Sequence, residues 1–182
     1  SVLQYLGIDI TDKRYELPVN EEARKWTETF LHEKGIKGQN IVAIHPGASV
    51  TEKLWRSERF AAIIDYLYGK GFCPILVEGP GDNAIADEIC SHCKNDIVRL
   101  KTSLLNVIAF FEICSLVICL DSAASHFASA VNTPAIALYG PQWPPRSPCW
   151  ITRQIPSSCP SCSSWLITCW LNGGGRSRRG GG

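Results

Sequence analysis

Residues 41–80 have the sequence IVAIHPGASVTEKLWRSERFAAIIDYLYGKGFCPILVEGP. The β-branched run at 41–45 is closed by a Pro-Gly pair and predicts a short buried strand. Apolar residues at helical spacing then predict an amphipathic helix over 57–71. A second apolar run at 72–77 predicts another buried strand. The stretch therefore predicts a βαβ unit with two parallel strands joined by a right-handed crossover.

The same alternation occurs on both sides of this unit. It predicts further helices over 20–35, 83–93, 104–113 and 122–131, and further strands over 96–100, 116–120 and 134–139. The first of these helices has Asn20 and Gly35 at its ends, which are typical capping residues. Strands that alternate with helices form parallel sheets covered on both faces. The predicted fold class is therefore α/β, a Rossmann-like doubly wound parallel sheet of about five strands.

The chain of 182 residues is typical of one domain with an appendage. We expect a connector and helix at 1–40, the α/β domain at 41–150, and an irregular or disordered tail at 151–182. The tail is rich in Ser, Cys, Pro and Gly, and its end has little to bury. Because the chain begins at Ser1 and its pattern changes abruptly after Pro141, we expect a processed or partial chain, with a truncation or an altered reading frame.

Charge is also divided along the chain. All 17 acidic residues lie at or before Asp121. The basic residues beyond it are Arg146, Arg153, Arg176, Arg178 and Arg179. The last three lie among glycines without interleaved aromatic residues, so this basic end does not favour nucleic-acid binding.

One apolar stretch, 104–120, is near the lower length limit of a membrane span. Glu112 lies in its middle, and a carboxylate at the bilayer centre costs about 2.5–3.5 kcal/mol on insertion scales. A helix, a turn and a buried strand are therefore favoured over a transmembrane helix.

The nine cysteines fall into two groups. Those of the first group lie in apolar segments and are expected to be buried thiols in a reducing compartment: Cys73, Cys90, Cys93, Cys114 and Cys119. Those of the second group lie in or near the tail: Cys149, Cys159, Cys162 and Cys169. Thiolates bind zinc, but the second C-x₂-C pair of a zinc ribbon is missing from both groups, so no metal is expected.

Two loops are expected to form a ligand site. In the common strand order 3-2-1-4-5 the sheet reverses direction between strands 1 and 4, and ligands bind there, beyond the carboxyl ends of the strands. The loop after strand 1 offers Gly47 for close backbone approach and the cations Lys53 and Arg56. The loop at 121–126 opens a helix, whose free N–H groups favour an anion. The two loops together predict a phosphate site.

Other chemistries are disfavoured. No G-x-G-x-x-G follows the first strand and no G-x-x-x-x-G-K-[ST] occurs, which argues against a dinucleotide oxidoreductase and a P-loop NTPase. Asp121, Ser122 and His126 lie on one turn, which does not place the carboxylate behind the imidazole as a catalytic triad requires. Ligand contacts are favoured over a nucleophile, with helix capping by these residues as the alternative. Trp55 is expected to pack, and His45 either ends a strand or lines the site.

Several short motifs occur in order along residues 41–141. They are HPGAS at 45–49, KLW at 53–55 with ERF at 58–60, EGPGD at 78–82, TSL at 102–104, DSAASHFA at 121–128, Pro134, and LYGP at 138–141. This order and spacing resemble the carboxy-terminal domain of glycosyltransferase family 9, the ADP-heptose:lipopolysaccharide heptosyltransferases. The resemblance implies the donor-binding half of a two-domain GT-B enzyme that transfers heptose from ADP-heptose to the lipopolysaccharide core.

The resemblance also implies roles for individual residues. The implied donor contacts are Gly47, Ser49, Lys53, Arg56, Asp82, Asp121, Ser122, Ala123 and His126. Lys53 would neutralise the diphosphate, and Ser122 with the amides after it would bind phosphate. Asp121 and His126 would orient the sugar or its phosphate, and Asp82 would lie near the ribose. No cofactor or metal is implied.

The family's general base and acceptor site belong to an amino-terminal domain, so the resemblance implies no catalytic residue here and an incomplete enzyme. It implies a cytoplasmic location with peripheral association at the inner membrane. Ala123 replaces a family glycine, and its methyl group would weaken binding if that position needs a positive φ or close ligand approach. Two alternatives are a non-catalytic Rossmann-like or flavodoxin-like binding module and a GT-B enzyme that uses another nucleotide sugar.

Overall fold

The structure of the protein is a computed structural model, which describes residues 5–7, 17–37 and 40–139, and the backbone of 153–155 and 166–170. Its elements are α1 (Glu21–Glu33), β1 (Ile41–His45), α2 (Ser57–Gly69), β2 (Cys73–Glu78), α3 (Asn83–His92), β3 (Val98–Lys101), α4 (Leu104–Ile113), β4 (Leu116–Leu120), α5 (Ala123–Ala130), β5 (Ala135–Tyr139), β6 (Arg153–Ile155) and β7 (Leu166–Trp170). A 3₁₀ turn, Thr51–Lys53, lies between β1 and α2.

The first five strands form a parallel sheet in the order β3-β2-β1-β4-β5. Ile44 of β1 lies between Leu76 of β2 and Ile118 of β4. The predicted α/β class, the five parallel strands and their order are therefore confirmed. The direction of winding reverses between β1 and β4, so the loops that follow these two strands meet at the carboxyl edge of the sheet.

Two strands extend the sheet beyond the prediction. β7 pairs antiparallel with β5, and β6 pairs antiparallel with β7. This corrects the expectation of an irregular tail at 153–155 and 166–170. The run Leu166–Trp170 is apolar and includes β-branched residues, and it pairs with β5, whose edge would otherwise have unpaired backbone groups. The remainder of the predicted tail, with Cys149, Cys159 and Cys162, lies outside the described residues.

Capping residues define the helix ends. At the start of α1, Asn20 Oδ1 accepts a hydrogen bond of 2.8 Å from the Ala23 N–H. Gly35 follows the end of this helix with φ +66°, a conformation that glycine adopts without strain. Ser103 caps the start of α4 by accepting a bond from the Asn106 N–H. Between residues 20 and 139 the predicted and observed bounds differ by no more than two residues.

Hydrophobic cores lie on both faces of the sheet. On one face, Ala43 packs with Phe110 of α4 and with buried alanines of α5. On the opposite face, Ile44 packs with Phe60 of α2 and with buried residues of α3. Successive side chains of β1 therefore enter opposite cores, as the pleat of a strand requires. A five-residue strand with only apolar residues before its end is typical of such a fully covered sheet.

Helix α1 is attached to the α/β domain through α4. The Phe30 ring contacts the Phe110 ring edge-on, with 6.3 Å between centroids. Arg24 donates two hydrogen bonds of 2.8 Å to the Glu112 carboxylate. The predicted connector helix is therefore packed on the domain, and Glu112 is paired with a cation.

The apolar stretch 104–120 divides into α4 and β4, as predicted. In the described part of the chain, no helix has the length and apolarity needed to cross a bilayer. The five cysteines before residue 120 are free thiols, and two of them, Cys114 and Cys119, are buried. Within the described ranges no group of three or more His, Cys, Asp or Glu side chains is arranged to hold a metal ion.

Candidate functional site

An ion pair connects the two loops that were predicted to form a ligand site. The 3₁₀ turn after β1 places Lys53 Nζ 2.7 Å from Asp121 Oδ2, and Asp121 is the first residue after β4. The lysine side chain is 20% exposed and the aspartate side chain is 37% exposed. The pair therefore lies at the reversal of the strand order, within reach of a ligand in solution.

Ser122 lies beside this pair at the N-cap position of α5. Its backbone is extended, with φ −147° and ψ 173°. Its carbonyl accepts hydrogen bonds from both the N–H and the hydroxyl of Ser125. Its own Oγ is buried and has no hydrogen-bond partner among the described residues. Buried hydroxyl groups are almost always bonded, so this oxygen, beside the free N–H groups of a helix start, is placed to bond an anionic ligand.

Ala123 is exposed and is the first residue of α5. In the described residues other than glycine, positive φ occurs at Asn40 and Asn132. The φ angle at 123 therefore does not need glycine, so the backbone strain considered for Ala123 does not arise, and the close ligand approach considered there stays a prediction. His126 is exposed one turn further along the same helix.

The Asp82 carboxylate is turned into the protein rather than into the crevice. Its Oδ2 accepts a hydrogen bond of 2.7 Å from the Gly79 N–H, and the side chain is 15% exposed. A Cβ built on Gly47 would overlap this carboxylate. The space that a Gly47 side chain would need is therefore occupied by Asp82, and the close approach of a ligand to Gly47 stays a prediction.

His45 ends β1 next to the same carboxylate. Its Nδ1 lies 3.1 Å from the Val77 carbonyl oxygen and 3.8 Å from Asp82 Oδ2. Burial lowers the pKa of His45, while the hydrogen bond to Val77 and the negative charge of Asp82 act in the opposite direction. His45 is therefore a largely buried residue at the base of the crevice.

Arg56 and Ser49 are two further predicted residues that take no part in the Lys53–Asp121 pair. Arg56 precedes α2, and its Nη2 lies 3.3 Å from Glu58 Oε1, with both side chains well exposed. Ser49 is exposed on the loop between β1 and the 3₁₀ turn. Trp55 packs edge-on against Phe60, which confirms its predicted packing role.

An ion pair between a buried carboxylate and a partly exposed arginine was missed by the sequence analysis. Glu78 ends β2 with its side chain 3% exposed, and its two carboxylate oxygens accept hydrogen bonds from Arg99 of β3. Arg99 also bonds to Asp87 of α3. The sequence held one signal for this pair: Glu78 is a charged residue at the end of an apolar strand, and Arg99 lies in a neighbouring strand. This pair fixes the start of the loop that contains Asp82.

The strand order and the two loops that meet at its reversal define a Rossmann-like doubly wound α/β domain. The model of glycosyltransferase family 9 (heptosyltransferase) matches residues 2–162. A lipopolysaccharide heptosyltransferase 3 of Escherichia coli is 36% identical over 148 residues, which are 77% of this chain and 42% of that protein. The chain belongs to glycosyltransferase family 9, as its motifs predicted.

Solved structures give the same fold. A glycosyl transferase family 9 protein from Veillonella parvula superimposes with a TM-score of 0.74 at 28% identity, covering 79% of this chain and 42% of the other. An E. coli heptosyltransferase solved with ADP-2-deoxy-2-fluoro heptose has a TM-score of 0.54 at 21% identity, covering 79% of this chain and 44% of the other. The chain therefore spans less than half the length of these relatives.

Proposed function

We propose that the described domain binds the nucleotide-diphosphate sugar donor of a family 9 glycosyltransferase, and that the donor is ADP-heptose. The observation that carries this proposal is the Lys53–Asp121 pair next to the unbonded Ser122 Oγ at the switch point of the sheet. A diphosphate needs positive charge and hydrogen-bond donors, and this corner offers an ammonium, a hydroxyl and helix N–H groups. The heptosyltransferase names of the curated relatives support the choice of heptose.

The chemical contribution of the site would be to stabilise the leaving group. As the bond from the sugar to the diphosphate breaks, negative charge grows on the leaving oxygen. Lys53 and the N-terminal amides of α5 are fixed donors that would stabilise this charge without reorganising. The positive charge of Lys53 would replace that of a metal ion, so the proposal needs no cofactor.

The acceptor side of the reaction lies outside the described residues. In the proposed reaction a general base on another domain deprotonates the acceptor hydroxyl of the lipopolysaccharide core, and the displacement inverts the anomeric carbon. The chain by itself is expected to bind the donor weakly and to transfer no sugar. We further propose that the enzyme works in the cytoplasm at the inner face of the inner membrane, where this acceptor would be reached.

Calorimetric titration of the 182-residue chain with ADP tests the donor site. Lys53→Ala is expected to weaken ADP binding by about tenfold or more, because a hydrogen bond to a charged group contributes about 1.5–3 kcal/mol. Lys70→Ala is the matched control: Lys70 follows α2 at the opposite edge of the sheet, where its Nζ lies 5.5 Å from the Tyr66 ring centre. Absence of heat at millimolar ADP, or equal binding by the Lys53→Ala variant, would contradict the proposal.

Competition among nucleoside diphosphates for the site identifies the base of the donor. ADP, UDP and GDP share the diphosphate, so the Lys53 contribution should be common to all three. ADP is expected to compete best if the donor is ADP-heptose. Tighter binding of UDP or GDP would instead support a GT-B enzyme that uses another nucleotide sugar.

A further inference from the structure

We infer that Asp82 is a positioning residue: its carboxylate, fixed within its own turn, supports Gly47 and thereby sets the position of the loop that contains Lys53. This goes beyond the assignment of Asp82 as a ribose contact, and it rests on the proposed function only where ADP binding is the readout.

Two hydrogen bonds between Gly79 and Asp82 close the turn that contains Asp82. The Gly79 N–H donates to Asp82 Oδ2 at 2.7 Å, and the Asp82 N–H donates to the Gly79 carbonyl at 3.3 Å. Gly81 between them has φ +89°, which a residue with a side chain adopts only with strain. These bonds leave the Asp82 carboxylate little freedom to turn.

The turn is also anchored where it leaves the sheet. Glu78, the residue before Gly79, is held by Arg99, and its side chain is almost completely buried. Arg99 in turn bonds to Asp87 of α3, the helix that begins just after Asp82. The turn is thus fixed at its start by β3 and at its end by α3.

The first crevice loop rests on this fixed carboxylate. There is no room for a Cβ on Gly47, and a Cβ on Gly79 would lie 2.9 Å from Asp82 Oδ2. The carboxylate therefore lies between two glycine backbones from neighbouring strand ends. Because Gly47 and Lys53 belong to the same short loop after β1, a shift at Gly47 would be passed toward Lys53. Packed groups without voids transmit such shifts.

A double-mutant cycle tests the contact between the loops. Gly47→Ala is expected to weaken ADP binding on the order of tenfold, because its methyl group must displace the carboxylate. Asp82→Ala is expected to weaken binding because it removes the support. In the double variant the methyl group has space, so adding Gly47→Ala to Asp82→Ala should weaken binding little further. Additive effects would overturn the inference.

A nucleotide that lacks the ribose hydroxyls distinguishes a positioning role of Asp82 from a direct contact between Asp82 and the ribose. With 2′,3′-dideoxy-ADP as a second probe, a positioning residue gives the same fold-loss for both nucleotides when Asp82 is replaced by Ala. A ribose contact would instead make Asp82→Ala harmful for ADP and almost without effect for the dideoxy analogue. That second result would contradict positioning and restore the ribose role.

A measurement without nucleotide keeps the inference separate from the proposed function. In the described structure Asp82 is the charged group that acts on His45, at 3.8 Å. Asp82→Asn keeps the shape of the side chain and removes its charge, so NMR titration should show a lower pKa for His45 in this variant. Assignment by His45→Gln identifies the signal. An unchanged His45 titration would overturn the inference, whether or not ADP binds.

Discussion

The Lys53 ammonium lies 2.7 Å from the Asp121 carboxylate, although 68 residues separate the two along the chain. Their contact exists because β1 and β4 are neighbours in the sheet, so the loops after these strands meet. Lys53 is thus already partly neutralised before a ligand arrives. A diphosphate that binds here must share the lysine with Asp121, and it must also approach the negative charge of that carboxylate.

Asp121→Asn is therefore expected to strengthen binding of ADP by about threefold to tenfold. Two unit charges about 4 Å apart repel by about 1–4 kcal/mol near a protein surface, and partial exposure of Asp121 reduces this. Calorimetry at low salt measures the change. Asp96→Asn, on the exposed loop before β3 at the opposite edge, is the control and should leave affinity unchanged. Weaker ADP binding by Asp121→Asn would mean that Lys53 needs its partner to stay in place.

The packing of α1 on α4 predicts that truncating two residues of α4 lowers the free energy of unfolding by very different amounts. Phe110 is fully buried and contacts Phe30, whereas Leu104 is 55% exposed. Phe110→Ala is expected to lower the free energy of unfolding by about 3–5 kcal/mol. Leu104→Ala should change it by less than about 0.5 kcal/mol. Urea denaturation measures both, and similar losses for the two variants would contradict this packing.

Because His45 is largely buried, we expect mild acidification to lower the free energy of unfolding. Burial lowers the pKa of His45 below its ordinary value of 6.5, so the unfolded chain binds a proton that the folded chain does not. The free energy of unfolding should therefore fall as pH decreases from 6.5 to the pKa of the folded state. Urea denaturation at about pH 7.5 and about pH 5.5 measures the fall. His45→Gln should make it smaller, and an equal fall in both proteins would exclude His45 as its cause.

The buried thiols are expected to resist alkylation. Burial raises the pKa of the fully buried Cys119 to about 12, and partial burial raises that of Cys93 to about 11; the thiolate is the reactive form. Peptide mass spectrometry after brief iodoacetamide treatment at about pH 8 should find Cys119 unlabelled in the folded protein. The same treatment in urea is the control, in which Cys119 should be labelled. Rapid labelling of Cys119 without urea would contradict its burial in the sheet.

Local sequence patterns were sufficient for most of the fold. The helices follow from apolar residues spaced 3.6 apart, and the strands follow from short continuous apolar runs, which are typical of strands buried on both faces of a sheet. β6 and β7 were not predicted because the Cys/Ser/Pro-rich segment around them obscured two short runs. Strands of this kind depend on an available edge, here that of β5, more than on their own sequence.

The candidate site was predicted only in part. The sequence placed Lys53, Asp121 and Ser122 on two loops that the structure brings together, because the strand order determines which loops meet. It did not indicate that Asp82 faces Gly47, or that Glu78 is paired with Arg99. Both contacts join side chains to groups on neighbouring strand ends, and the sequence does not show which way such side chains turn.

By itself, the sequence determined the α/β class and the family, since these follow from periodicity and from ordered motifs, and the strand order was taken as the common one for this class. The tertiary structure alone decided that Lys53 is paired with Asp121, that Ser122 Oγ is left without a partner, and that Asp82 packs against glycine. The physical reason is that the two kinds of information act over different distances along the chain. Periodicity reports the burial of each residue within its own element, whereas a hydrogen bond requires two groups within about 3 Å, which only the assembled sheet brings together.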